Sequence, residues 1–174
     1  NHLEGLSFRE YINHQTGNKF STYTFEELLK NHVAIAKKVI AEVKPLAHFD
    51  DYLKHGFFPY YMDDPNFYIN KLLKNTNLAL EIDVPYFNQI EFKYLSKLRK
   101  LLHIIASETP FTPNVSKLAG SVETSRATIM NYLKYLKNAK LINLLYENGG
   151  ADDDQMKKPD MVYMHNTNLL HAIA

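Results

Sequence analysis

The chain has 174 residues, an apolar fraction of 45%, 12 Tyr and 10 Phe, which is enough for a packed core and excludes a largely disordered protein. It has no cysteine, so disulfides and thiolate metal sites are excluded, and it contains no apolar run of the ~20 residues that a bilayer span needs. The start of the sequence lacks the pattern of a secretory signal. We therefore expect a soluble, cytoplasmic protein.

Two helix starts are marked by capping boxes, in which a Ser or Thr is followed three residues later by Glu. The first joins Ser7 to Glu10 and the second joins Thr24 to Glu27. Apolar residues at helical spacing follow the second box and stop before Pro45. Both patterns predict helices in the first third of the chain.

Further helices are predicted from breakers and caps. A short helix is expected to end at Gly56, in the position that often takes a left-handed conformation. Asp64 and Pro65 are typical of the start of the next helix, which should run to about Asp83. Another helix is expected over residues 89–107. We place a domain boundary near Val84 and Pro85, giving a helical subdomain over residues 1–86.

Residues 115–136 have the pattern of a helix-turn-helix, whose two helices cross closely at small and apolar side chains. The small residue is Ala119, and the apolar positions are taken by Leu118, Val122, Ile129 and Tyr132. A helix precedes this element, and two short strands with a loop between them follow it. Helix, helix, helix, strand, strand is the order of a winged helix, which we predict for residues 87–174.

The predicted fold is therefore mainly α, a helical subdomain packed on a winged helix-turn-helix with one small β-hairpin. A last helix is expected after Asn166, which is a suitable N-cap.

Positive charge is concentrated in residues 87–146, which carry nine Lys or Arg and three Glu, a net charge of +6. The remaining residues have a net charge of −5, with eleven basic and sixteen acidic side chains. Such asymmetry favours a nucleic-acid face, although solvated helix faces can produce it too.

The second helix of the helix-turn-helix supplies the candidate DNA contacts. Side chains on its outer side can reach base edges in a major groove, where Arg pairs with guanine and Asn with adenine. The predicted base-facing residues are Ser125, Arg126, Met130, Asn131 and Lys134. The predicted phosphate contacts are Lys117, Lys137 and Lys140.

Three features oppose DNA binding. Glu123 occupies the turn position that is usually glycine, and Thr124 follows where an apolar residue is usual. The loop between the two strands contains Asp152, Asp153 and Asp154, whose charges would repel phosphate. These features leave open an interaction module that binds no DNA.

Four segments together resemble bacterial and archaeal AAA-type ATP-binding proteins that carry a winged helix behind an ATPase module. They read LEGLSFREY, DYLKHGFFPYY, ETPFTPNVSKLAGSVETSRATIMNYLKYLKNAKLI and KKPDMVYMHNTNLLHAI, and they occur in that order over most of the chain. The chain departs from the family at His165, where an aspartate is common.

The resemblance implies that the chain is the non-catalytic C-terminal region of such an ATPase. It contains no phosphate-binding loop of the G-x-x-x-x-G-K-[ST] type, so no cofactor is expected here, and ATP with Mg²⁺ would belong to a module upstream. The implied partners are double-stranded DNA, or else its own ATPase module or a partner subunit, and no membrane.

Other chemistry receives less support from the sequence. Arg9 either senses a nucleotide across an interface or is a solvated arginine in a capped helix. His48 and His55 flank two aspartates, but a chance cluster explains them better than a metal site. The aromatic residues 57–61 fill the seam between two helical subdomains, dock a partner, or form a lid over a base or peptide. No catalytic residue is predicted.

Overall fold

The computed structural model describes residues 5–83, 85, 91, 94–108, 111–147 and 158–174. These residues are mainly helical, with one two-stranded antiparallel sheet, as the sequence predicts. The chain divides into two compact units, Asn1–Tyr68 and Ile69–Ala174. The boundary predicted near residue 86 stays a prediction, because residues 84 and 86–90 lie outside the described part.

The first unit consists of three α-helices followed by two short 3₁₀ turns. They are α1 (Phe8–Thr16), α2 (Phe25–Glu42), α3 (Pro45–His55), and the turns Pro59–Tyr61 and Pro65–Phe67. Both predicted capping boxes are present. The Ser7 hydroxyl accepts a hydrogen bond from the Glu10 amide, and the Glu10 carboxylate accepts one from the Ser7 amide. Thr24 and Glu27 repeat this reciprocal arrangement at α2.

The aromatic residues that follow α3 pack within the first unit. Tyr68 is fully buried, and its ring lies 5.3 Å from those of Tyr60 and Tyr61. His55 stacks on Tyr61 at 5.1 Å. These contacts lie within the first unit, and the seam, docking and lid interpretations of residues 57–61 stay predictions.

Gly56 follows α3 as predicted, but the reason for glycine differs from the expected one. Its backbone is right-handed (φ −83°, ψ −8°), so the predicted left-handed cap is wrong. A Cβ here would lie 2.7 Å from the Tyr52 Cα and 2.9 Å from Tyr11 Cδ2. Glycine is needed because the backbone passes close to Tyr52 and Tyr11.

The second unit has five α-helices among the described residues and the β-hairpin. In chain order these elements are α4 (Tyr68–Leu78, whose first residue closes the first unit), a π-helical turn (Ala79–Asp83), α5 (Leu95–Glu108), α6 (Val115–Val122), α7 (Arg126–Asn138), β1 (Ile142–Leu145), β2 (Met161–Met164) and α8 (Thr167–Ile173). The Asn166 side chain accepts a hydrogen bond from the Leu169 amide and caps α8 as predicted. The predicted helix over 89–107 is described only from Leu95 onward.

The hairpin pairs Ile142 with Met164 and Leu145 with Met161. Phe111 adds an isolated antiparallel bridge to Val162, with N–O distances of 3.1 and 3.4 Å. Sequence analysis did not predict this third extended segment. Its residue lies between α5 and α6, so the bridge ties the start of the helix-turn-helix to the hairpin.

Apolar side chains from α5, α6, α7 and both strands form the core of the second unit. Those with the least exposure include Leu98, Leu101, Ile105, Val122, Ile129, Leu133, Leu136, Ile142 and Val162. Burial of this kind stabilises a fold by about 1.5–3 kcal/mol for each large apolar side chain. The core therefore holds α7 by one side and leaves its other side at the surface.

Candidate nucleic-acid interface

The first helix of the predicted helix-turn-helix is α6. Its N-cap is Asn114, whose side-chain oxygen accepts a hydrogen bond from the Lys117 amide at 3.0 Å. Leu118, Ala119 and Val122 are buried, as their assigned positions require. The small side chain of Ala119 lets α7 approach α6 closely.

The turn between α6 and α7 is tight. Glu123 takes the left-handed conformation (φ 56°, ψ 53°), which glycine adopts without strain and other residues adopt at a cost of about 1–2 kcal/mol. The Glu123 amide donates to the Gly120 carbonyl at 3.2 Å, and the Thr124 amide donates to the Ala119 carbonyl at 2.9 Å. The turn thus keeps the geometry that glycine favours, although the residue is glutamate.

Lys97 of α5 supports this turn from outside. Its ammonium group donates to the backbone carbonyl of Glu123. The contact joins residues 26 positions apart, so no local sequence pattern could predict it. Lys97 is one of the nine basic residues within residues 87–146, and this contact engages its ammonium group.

Ser125 begins α7 as its N-cap. The hydroxyl accepts a hydrogen bond from the Thr128 amide at 3.1 Å and lies 2.8 Å from the Thr128 hydroxyl. The side chain is exposed near the predicted groove, but its oxygen is already engaged in capping. Ser125 therefore positions the helix, and a base contact from it stays a prediction.

The two sides of α7 differ sharply in burial. Ile129, Tyr132, Leu133 and Leu136 are at most 3% exposed. On the opposite side Arg126, Asn131 and Lys134 are exposed and Met130 is half-buried. At about 100° per residue these four lie within roughly 140° of arc, so a single surface presents all of them.

The predicted phosphate contacts lie on three different segments. Lys117 is exposed on α6, Lys137 is half-buried in the last turn of α7, and Lys140 is exposed beyond it. Lys140 has φ 57°, and its amide donates to the Lys137 carbonyl at 3.0 Å. The Leu141 amide then donates to the Leu136 carbonyl, which satisfies a second carbonyl at the helix end.

Not all of the positive charge in this unit is open to a ligand. Arg99 of α5 forms an ion pair with Glu81 of the π-helical turn. Burial, with help from Tyr94 and Tyr135, raises the pKa of Tyr132 on the buried side of α7, so this phenol carries no charge. The exposed basic side chains of α7 are Arg126 and Lys134.

The hairpin that would form the wing is closed at its base by Asp160. Its carboxylate accepts a hydrogen bond from the Glu147 amide at 2.6 Å, and its amide donates to the Leu145 carbonyl at 2.9 Å. The acidic run of residues 152–154, expected to repel phosphate, lies outside the described residues.

His165, which follows β2, contacts the residues at the start of β1. Its amide donates to the Leu141 carbonyl at 2.9 Å, and its Nδ1 lies 3.2 Å from the Asn143 side-chain oxygen. These are structural contacts between a strand and the segment beside it.

Arg9, considered above as a possible nucleotide sensor, has a local partner. Its guanidinium donates to the Phe20 carbonyl at 3.2 Å, and the Asn13 side chain donates to the same oxygen at 3.1 Å. Asn13 also accepts from the Phe20 amide at 2.8 Å. Together these bonds fasten the segment between α1 and α2.

Within the part of the chain that the structure describes, no three His, Asp or Glu side chains are grouped closely enough to hold a metal ion. His48 and His55 are among these described residues. No described helix is both long enough and apolar enough to cross a membrane.

Three comparisons place this chain among known proteins. Residues 46–174 match the family model described as Domain of unknown function (DUF8612). The chain is 24% identical over 163 residues to Uncharacterized protein MJ1637 of Methanocaldococcus jannaschii, an alignment that covers 91% of this chain and 34% of that protein. The chain thus spans about a third of that relative's length. No solved structure matches.

Proposed function

This chain belongs to the family described as Domain of unknown function (DUF8612), and we propose that its second unit binds double-stranded DNA by inserting α7 into the major groove. The two-sided character of α7 carries the proposal. Its apolar side is in the core at no more than 3% exposure, while Arg126, Asn131 and Lys134 stand together on the solvent side. A helix held in this way can enter a groove without unfolding the domain.

The residue types on the outer surface suit base recognition. A guanidinium can donate two hydrogen bonds to guanine O6 and N7, and a carboxamide can pair with adenine N6 and N7. We assign these roles to Arg126 and Asn131. Met130 offers an apolar contact to a thymine methyl group, and Lys134 offers a charge to either a base or a phosphate.

The lysines outside this surface would contact DNA phosphates and so fix the position of the protein along the DNA. Lys117 lies on α6, Lys137 in the last turn of α7 and Lys140 just after it, and we assign all three to DNA phosphates. Phosphate contacts of this kind supply most of the affinity and make it depend on salt.

The sequence resemblance supports a second proposal, which concerns a longer protein that would contain this chain. We propose that this region regulates an ATPase module whose ATP and Mg²⁺ would be bound outside these 174 residues. The relative's greater length leaves room for such a module but does not identify one. The competing proposal is that the basic surface is only solvated and that the unit contacts its own ATPase module or a partner subunit.

The test is a titration of a fluorescent DNA duplex with this chain at two salt concentrations, by anisotropy. We expect non-specific dissociation constants of about 1–100 μM at low salt, weakening steeply as salt rises. Arg126→Ala and Lys134→Ala should each weaken binding by about fivefold to a hundredfold, because each removes a charged contact. Lys38→Ala, which removes one charge from α2 in the first unit, is the matched control.

Absence of binding at low salt would contradict the proposal. So would equal affinity for the wild-type chain and for both α7 variants, since binding would then use some other surface. If both α7 variants bound DNA as tightly as the wild type and only Lys38→Ala bound it more weakly, DNA binding would be assigned to the first unit.

A further inference from the structure

An apolar stripe on α2 is exposed over the full length of the helix. Phe25, Leu29, Val33 and Ile40 are 74%, 63%, 55% and 62% exposed, and Ala36 between them is exposed as well. No residue of α2 is buried. The capping box fixes the start of this helix, but the core of the first unit does not cover this side of it.

These five residues form one continuous stripe. At about 100° per residue they lie within roughly 80° of arc, and 18 residues extend about 27 Å. An exposed apolar surface of this length marks an interaction site more often than a solvated face.

The spacing of the stripe is symmetric. Phe25 and Ile40 lie at equal distances along the helix from the point between His32 and Val33, and Leu29 and Ala36 do so too. A two-fold axis at this point would place Phe25 of one helix against Ile40 of an identical antiparallel helix. It would also place Leu29 against Ala36, which matches a large side chain with a small one.

Charged residues beside the stripe favour the same arrangement. Glu26 and Lys37 flank it on one side, and neither has an ion-pair partner among the residues that the structure describes. In the antiparallel arrangement Glu26 of one copy and Lys37 of the other share that side, about 3 Å apart along the axis. A parallel two-fold pair would place Glu26 and Lys37 of the second copy on the opposite side of the stripe, so it offers no such contact.

We propose that the α2 stripe binds a second copy of this chain, as an antiparallel helix pair with its two-fold axis beside Val33. The interface is isologous, so the complementary contacts between acid and base occur twice. A single pair of 18-residue helices buries less than the ~800 Å² per partner of standard interfaces, so the dimer forms at high concentration and dissociates on dilution. This proposal does not rest on DNA binding by the second unit.

Disulfide trapping tests the arrangement directly, because the chain has no cysteine of its own. Val33→Cys lies next to the proposed axis, and two such residues fall within the ~7 Å Cα separation that a disulfide allows. Phe25→Cys residues of two copies would be about 22 Å apart along the axis. Ala34→Cys, exposed on the opposite side of α2, is the matched control.

Under mild oxidation, at a protein concentration at which the wild type associates, Val33→Cys should give a disulfide-linked dimer, and Phe25→Cys and Ala34→Cys should not. A mixture of Phe25→Cys and Ile40→Cys chains should give the mixed dimer. Efficient crosslinking of Phe25→Cys with itself would establish a parallel pair and overturn the proposal. Equal crosslinking of Val33→Cys and Ala34→Cys would reveal random collision and would also overturn it.

Charge reversal provides a second, cysteine-free test by sedimentation equilibrium over about 10–500 μM. Glu26→Lys and Lys37→Glu should each weaken association by about threefold to tenfold, since each reversal acts at two symmetric contacts. The double variant should return to within about twofold of the wild type. Lys38→Glu, on the back of α2, should leave association unchanged.

Val33→Glu should abolish association altogether, because it buries a carboxylate beside its symmetric copy. Circular dichroism of each variant verifies that the fold is retained. A wild-type chain that stays monomeric over the whole concentration range would overturn the proposal, since a partner of different sequence would then be required to cover the stripe.

Discussion

At the scale of single residues, the turn between α6 and α7 shows how backbone conformation can override side-chain preference. Glu123 holds a left-handed conformation that costs a non-glycine residue about 1–2 kcal/mol. Two backbone hydrogen bonds and the Lys97 ammonium hold the turn in this conformation. Their stabilisation offsets the cost of the left-handed backbone. The sequence marked Glu123 as an unusual turn residue, but it did not indicate that the turn itself would be retained.

Replacing Glu123 with glycine should therefore stabilise the protein. We expect Glu123→Gly to raise the free energy of unfolding by about 0.5–1 kcal/mol, because it relieves the left-handed strain and keeps the carbonyl that Lys97 contacts. It should also tighten DNA binding by removing a negative charge near α7. Urea denaturation and the anisotropy titration measure the two effects. A loss of stability would contradict the strain argument.

The burial of Tyr11 predicts an effect of a different kind, which is a loss of stability at alkaline pH. Burial, followed by the nearby Tyr61 and Asp51, raises the pKa of Tyr11 to about 12 from its ordinary value of 10. A group whose folded-state pKa is raised contributes stability that is complete below pH 10 and is lost as the pH rises toward 12. Burial also raises the pKa of Tyr52 and Tyr68 in the same unit.

The first unit should therefore lose stability between pH 10 and pH 12. Tyr11→Phe removes one ionisable group and should reduce this loss, while its stability at pH 7 stays close to that of the wild type. The measurement is the urea midpoint at pH 7, 9 and 11 for both proteins. An equal fall in midpoint for both would show that Tyr11 ionisation does not contribute.

At the scale of elements, α7 separates residues that hold the fold from residues that face solvent. Both types alternate along thirteen residues, and the 3.6-residue period of the helix assigns each to its side. This is why the buried positions of the helix-turn-helix could be predicted from spacing alone. Leu118, Ala119, Val122, Ile129 and Tyr132 are all buried, as predicted.

Neighbouring residues of α7 should therefore respond to alanine in opposite ways. Leu133 is fully buried, so Leu133→Ala should cost about 2–5 kcal/mol of stability by leaving a cavity in the core. Lys134→Ala should change stability by less than about 0.5 kcal/mol and reduce DNA affinity instead. Chemical denaturation beside the DNA titration distinguishes the two. Comparable destabilisation by both would show that Lys134 is structural.

Elements that depend on distant contacts were not predictable in this way. The bridge between Phe111 and Val162 joins segments that are 51 positions apart, and Phe111 lies in a short stretch between prolines with no strand pattern. The Lys97 contact to Glu123 is likewise set by how α5 packs on α6. Such contacts follow from the assembled core, whereas caps and periodicity are encoded locally.

At the scale of the whole molecule, charge and apolar surface are distributed unequally between the two units. The basic residues concentrate in residues 87–146, while five of the large exposed apolar side chains lie on α2 in the first unit. The fold class, the helix starts marked by side-chain caps and the position of the hairpin could be predicted from the sequence. The exposure of α2 could not, because its amphipathic pattern is the same whether a core or another chain covers it.

Asp160, which closes the hairpin, affects which changes of loop sequence this protein can tolerate. Asp160 ties β2 to Glu147 and Leu145, so the pairing register is set outside the loop between them. Lengthening a loop costs only about 0.6 kcal/mol for each doubling. Loops of different length and charge can therefore be exchanged between Glu147 and Asp160 without altering α7. This makes the loop between Glu147 and Asp160 a suitable insertion point for a fluorescent reporter.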